Sequence, residues 1–214
     1  MTSEQETAII DAYVDYVLEE GKEPASVYTF CKKLDLSEAD FYKVFPSFKT
    51  VENAFWRRLA HEAQASLESD PESASLNARQ KVLAYFYSLV EQVNARRSFV
   101  LLRFPGFKPP MVPCGLDGLQ SQFEDYLTPV LNAAVETEEI AKRGRLNDTY
   151  PYLFYQQFLF VLDFCIKDDS HGFERTDALI EKTVNLAFDL IERQALESAF
   201  DLFRFLAGRS HQPA

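Results

Sequence analysis

The chain has 214 residues, of which 47% are apolar and 14% aromatic, enough to build a sizeable core and too much for a disordered chain. Its formal net charge is −11, so any nucleic-acid-binding surface has to be local, because phosphate contacts draw on Lys and Arg. The three cysteines, Cys31, Cys114 and Cys165, are odd in number and scattered without a C-x-x-C; this excludes a disulfide framework or zinc ribbon and predicts reduced thiols in or near the core of a cytoplasmic protein.

With 7 Gly and 10 Pro over the whole length, turn punctuation is sparse and the composition leans helical. Met1 to Glu6 is polar and acidic, without the basic and apolar regions of a secretory signal. From Thr7, the rows Ile9, Tyr13, Val17 and Ile10, Val14, Leu18 predict a helix with a wet face at Asp11, Asp15 and Glu19, stopped by Gly21. A second helix is predicted after Ser26 as N-cap, with Val27, Phe30, Cys31 and Leu34 on one face. Asp35-Leu36-Ser37 is a tight connection to a short third helix from Glu38 to about Phe45, which buries Phe41 and Phe45. Pro46-Ser47 breaks the chain, and Ser47 caps a fourth helix over 47–68 carrying Val51, Phe55 and Leu59. Two helices joined by a three-residue turn, the second short and followed by a proline break, form a helix-turn-helix pattern.

The rest of the chain reads as a helical body. A helix is predicted over about 75–103, rich in Val82, Leu83, Phe86, Leu89, Val90 and Val93, with a break near Arg96-Arg97, a pair that reads as a solvated face. Pro105 to Gly118 holds four prolines and reads as a loop. Another helix is predicted over 116–142, with Leu119, Phe123, Tyr126, Leu127, Val130 and Leu131. After a connection at Gly144 to Thr149, Pro151 suits the first helical position. The last two helices, about 151–167 and 175–207, flank a polar loop from Lys167 to Glu174. The most apolar stretch, Tyr150 to Ile166, is interrupted by Gln156, Gln157 and Asp163, so it is expected as a buried helix and not a membrane span.

Residues 9–59 resemble the N-terminal signature of the tetracycline-repressor (TetR) family. The residues that carry the likeness are Ile9-Ile10-Asp11-Ala12, Glu19-Glu20-Gly21, Ser26-Val27, Leu34-Asp35-Leu36-Ser37, Phe41-Tyr42 and Phe45-Pro46-Ser47-Phe48-Lys49. The resemblance implies an all-α fold: a three-helix DNA-binding head over 1–47, then a helical ligand-binding and dimerisation domain over 48–214. It implies DNA contacts from Ser37, Glu38, Ala39, Asp40, Tyr42, Lys43 and Lys49. Where the family commonly offers Lys, Gly and Thr or Ser to the major groove, this chain has Glu38, Ala39 and Asp40; where the family has a phosphate-facing His, it has Val44. Residues 1–60 carry 7 basic and 11 acidic side chains. The local reading of the acids is a capping box, Ser37-x-x-Asp40, with Glu38 favourably placed at a helix N-terminus.

In the body, the aromatic wealth around Tyr150, Tyr152, Phe154, Tyr155, Phe158, Phe160 and Phe164 requires cover on several sides. An ordinary core would supply it; so would a dimer interface or a cavity, and the resemblance implies both of these. Candidate pocket residues are Phe86, Leu89, Phe123, Tyr126, Tyr155 and Phe158. Asp168, Asp169, His171 and Glu174 lack calcium-loop spacing and read as a solvated loop. His61 reads as a surface residue. No nucleophile context is present, so neither catalytic residues nor metal ligands are proposed, and no cofactor is expected. The function expected is a homodimeric transcriptional regulator responding to a small apolar ligand and binding duplex DNA. The alternative, from a different class, is a TetR-fold ligand- or lipid-binding protein whose acidic head has lost DNA binding.

Overall fold

The computed structural model describes residues 2–108 and 113–192. Its helices are α1 (Thr2–Glu20), α2 (Val27–Lys33), α3 (Glu38–Val44), α4 (Phe48–Glu68), α5 (Ala78–Ala95), α6 (Arg97–Arg103), α7 (Asp117–Glu136), α8 (Tyr150–Cys165) and α9 (Glu174–Glu192). The fold is all-α, as expected. Three serines cap the starts of α2, α3 and α4, each accepting from the backbone N–H three residues on: Ser26 from Thr29, Ser37 from Asp40 and Ser47 from Thr50.

Helices α1–α3 close around rings. Phe30 meets Phe41 at 6.1 Å and Phe48 at 5.3 Å, and Tyr13 stacks on Phe48 at 5.6 Å. Helix α4 leaves the head and becomes the spine of the body, packed against α5 and α7. Helix α7 in turn carries α8, and α9 lies across α5 and α8. Phe99 of α6 joins the two parts, touching Tyr13 at 6.3 Å and Phe55 at 4.4 Å.

Several details differ from the sequence reading. The helix predicted over 116–142 stops at Glu136, and Glu138 takes a φ of 62°. That left-handed residue turns the chain so that Ile140 is buried, with its N–H on the Ala134 carbonyl. Tertiary burial overrides a helix-forming sequence here. Pro151 sits one residue inside α8, which starts at Tyr150. Cys114 is exposed on the connection from α6 to α7, away from the helix packing, whereas Cys31 and Cys165 are buried as expected. The stretch 193–207 of the last expected helix lies outside the described residues. Among the described residues no helix is long and apolar enough to cross a membrane.

Candidate functional site

Helix α3 turns Phe41 into the head and presents Glu38, Ala39, Tyr42 and Lys43 outward, at the spacing that places four residues on one helical face. Only half of the expected capping box forms, because the Asp40 carboxylate takes the Ser37 hydroxyl and not the Ser37 backbone N–H. Ser37 Oγ accepts from the Asp40 N–H at 3.1 Å and donates to Asp40 Oδ2 at 2.6 Å. Lys43 Nζ donates to the other oxygen, Asp40 Oδ1, at 2.7 Å. These bonds, Lys43 first and Ser37 second, hold the Asp40 carboxyl below the usual carboxylate range. The pair therefore neutralises itself, and Lys43 leans back along its own helix. Glu38, by contrast, is exposed and has no ion-pair partner among the described residues.

Other cations of the head divide in the same way. Lys33 bonds Glu20 at 2.8 Å and lies 4.4 Å over the Tyr16 ring. Lys32, and Lys49 just beyond the head in the first turn of α4, are exposed, with no such partner among the described residues. Over residues 1–47 there are 4 Lys against 10 Asp and Glu.

The head is bolted to the body by two charged clusters. In one, Tyr13 Oη and Arg103 Nε both donate to Glu52, at 3.3 and 2.9 Å, with Glu23 of the head 3.7 Å from the same guanidinium. In the other, Arg58 pairs with Asp11 at 2.6 Å, and Glu62 bridges Arg58 and Arg96. Arg96-Arg97 is thus no solvated face. Arg97 donates to the carbonyls of Cys165 and Ile166 at 3.1 and 3.2 Å, capping the end of α8, and lies 4.6 Å over Phe173.

The pocket candidates of the body do come together. Phe123 stacks on Phe158 at 5.6 Å and meets Tyr155 at 5.6 Å, Phe86 at 5.9 Å and Tyr85 at 5.4 Å. Phe86, Leu89, Phe123, Tyr155 and Phe158 are fully buried, and the rings fill one another's space. Tyr126 is the outermost ring. It meets Tyr85 at 4.3 Å and borders a half-open cleft of about 180 Å³ with Leu67, Leu76, Lys81 and Val130. Polar atoms punctuate this interior without protein partners: the Tyr155 hydroxyl, Trp56 Nε1 and the side-chain nitrogens of Gln156 and Gln157. Burial pushes the Tyr155 phenol well above its ordinary range.

On the outside of α8 and α9 the pattern inverts. Leu153 is 51% exposed and Phe160 lies two turns further on; Leu186, at 59%, and Leu190 sit one turn apart on α9. In the loop at 168–174, Asp169, His171 and Glu174 are exposed as the sequence suggests, but Asp168 is not. Asp168 is buried, accepting from Ser170 N and Oγ and from Thr176 N and Oγ1 at 2.7–2.9 Å. The Asp-x-Ser and Asp-to-Thr spacing ahead of an apolar helix was the available signal for a cap. Glu52, Arg103 and Arg97 left no comparable trace, because their partners are distant in sequence.

Residues 81–206 match the family described as "Tetracyclin repressor-like, C-terminal domain", more than half of the chain. The chain belongs to the TetR family. Two solved structures share its fold. One is a protein from Shewanella sp. PV-4 assigned to the TetR family of transcription regulators, 14% identical, with a TM-score of 0.55 and coverage of 86% of this chain and 95% of that one. Another is a protein of unknown function from Rhodococcus sp. RHA1, 13% identical, with a TM-score of 0.58 and coverage of 88% and 96%. No curated protein matches. For this TetR chain the family match lies wholly in the body, while both structural likenesses span most of the molecule.

Proposed function

We propose that this TetR protein is a cytoplasmic homodimeric transcriptional regulator, without catalytic activity, whose head over 1–47 binds duplex DNA and whose body over 48–214 binds a small apolar ligand. The observation that carries the reading is the joint between the two parts: Arg103 of α6 and Tyr13 of the head share the Glu52 carboxylate. A change in the body that moves α6 is then felt by α1. Ser37, Glu38, Ala39, Tyr42 and Lys49 face the groove or its phosphates, while Asp40 and Lys43 act mainly on each other. The ligand enters beside Tyr126 and parts the rings of Phe86, Phe123, Tyr155 and Phe158 around Leu89. The unpartnered Tyr155 hydroxyl supports a polar atom on that ligand, since a buried donor without an acceptor is destabilising. The dimer forms through Leu153, Phe160, Leu186 and Leu190, an apolar stripe suited to isologous two-fold pairing.

A gel-shift assay with the DNA flanking its own gene, at low and physiological salt, tests the DNA half. Retarded duplex is the expected result. Sedimentation of Leu153→Asp with Leu186→Asp tests the dimer, with a shift to monomer expected. The second reading, a ligand- or lipid-binding TetR protein without DNA affinity, is favoured by one observation, the excess of carboxylates over lysines in the head. It predicts no retardation at either salt.

A further inference from the structure

Of the two carboxylates at the start of α3, one is spent within the head and one is not. Asp40 has both oxygens occupied, by Ser37 and Lys43. Glu38 is free and exposed on the outward face, beside the exposed methyl of Ala39 and one turn before Tyr42. In a helix-turn-helix the first residues of the second helix reach base edges in the major groove. A carboxylate is acceptor-only and can gain there only from an exocyclic amine. Two bases offer one, adenine N6 and cytosine N4, but adenine carries the N7 acceptor directly beside its amine, where a carboxylate is repelled. Cytosine has no such acceptor on its own major-groove edge. A methyl side chain, in turn, packs on the thymine C5-methyl.

We propose that Glu38 and Ala39 determine operator specificity in this protein: Glu38 accepts from cytosine N4, and Ala39 packs on the methyl of a thymine next to it, once in each half-site. This rests on the DNA-binding reading above and names what that reading leaves open, the bases selected. The electrostatics sharpen the discrimination. Away from a cytosine the Glu38 carboxylate faces acceptors and phosphates, or an adenine amine with N7 beside it, so the wrong sequence is penalised beyond the loss of one hydrogen bond. The scarcity of free lysines removes much of the sequence-independent affinity that would mask this difference. Exposed Tyr42 and the unpartnered Lys49 and Lys32 remain for the backbone.

In vitro selection from a random duplex pool, with the full-length protein at low salt, tests the assignment. The wild type should enrich a two-fold motif with one cytosine fixed per half-site and a thymine adjoining it. Replacing that C·G pair should weaken binding about 5- to 150-fold, the range of one good base contact. Glu38→Gln keeps the size of the side chain and adds a donor, and glutamine pairs bidentately with adenine N6 and N7. The same position should therefore switch to adenine while the rest of the motif stays. Because Glu38 is exposed and makes no side-chain bond in the head, the variant should keep the wild-type circular dichroism spectrum and lose at most a few degrees of melting temperature from the helix-terminal charge. A wild-type motif lacking the fixed cytosine, or a folded Glu38→Gln protein with an unchanged motif, overturns the assignment and leaves DNA binding standing. No duplex retained at all overturns DNA binding, and the assignment with it.

Discussion

Arg103, in the last turn of α6, donates from Nε to Glu52 on α4 at 2.9 Å. The Glu52 side chain is only 13% exposed, and Tyr13 of α1 donates to the same carboxylate at 3.3 Å. A single carboxylate thus serves three helices, and its removal strands a guanidinium and a phenol together. Glu52→Ala should lower stability by about 1–3 kcal/mol, the range for losing charged hydrogen bonds in a half-buried site. Urea unfolding would measure it. In a double-mutant cycle, Arg103→Ala in the Glu52→Ala background should add little, since the shared interaction is already gone. Full additivity would mean that water screens the pair.

The ring cluster of the body should be the most sensitive part of the fold. Phe123 touches four other rings, and Phe123→Ala should remove about 3–5 kcal/mol by loss of transfer energy and creation of a cavity. Thermal unfolding would show it as a large drop in Tm. If the variant keeps its melting temperature, the rings are loosely packed and the cluster is already partly open.

Three tyrosines place a limit at the alkaline end. Burial, the largest cause for each, pushes the phenols of Tyr13, Tyr85 and Tyr155 up, well above their ordinary range. Glu52 adds to the effect at Tyr13. A raised folded pKa means that the unfolded chain loses these protons first. The stabilisation is therefore complete below about pH 10 and falls as the pH rises beyond the unfolded value. Absorbance at 295 nm should show these three ionising only in a cooperative step with loss of helix. Smooth, independent titration of all ten tyrosines would contradict their burial.

Asp168 sets the opposite limit. Burial alone would raise its carboxyl, but the bonds from Ser170 and Thr176 outweigh this and hold it well below the usual range. A depressed folded pKa stabilises above the unfolded value, near 3.9, and that contribution fades as the pH falls below it. Asp168→Ala should lower the Tm by several degrees at neutral pH and by less at pH 3. An equal drop at both would show that the side chain acts through packing and not through its charge.

How far the sequence reaches depends on the range of the interaction. Ser26, Ser37 and Ser47 bond to residues three positions away, so the starts of α2, α3 and α4 were legible from spacing. The break at Arg96-Arg97 was legible too, as was the need to cover the α8 aromatics, whose Tyr155 and Phe158 the fold gathers with Phe86 and Phe123 into one cluster. The end of α7 was not, because Thr137 to Lys142 suits a helix and only the burial of Ile140 argues otherwise. The Glu52–Arg103 bond spans 51 residues and depends on how α6 lies across α4, which no local pattern encodes. Asp168 was misread for a related reason: an acidic loop residue looks solvated until the helix it caps is placed.

At the start of α7, a Cβ on Gly118 would lie 1.9 Å from the carbonyl oxygen of Asn53 on α4. Ordinary helix packing is cushioned by side chains, which yield a little under load, so a small tilt of one helix is dissipated before it reaches the next. Here main chain rests on main chain, and the joint has no give. Helix α4 is rooted in the head at Ser47, and α7 supports the α8 aromatics. Near Gly118 the two helices form a rigid knuckle. A displacement at the rings of α8 therefore has a stiff path toward the head through α7 and α4, in parallel with the softer one through α6.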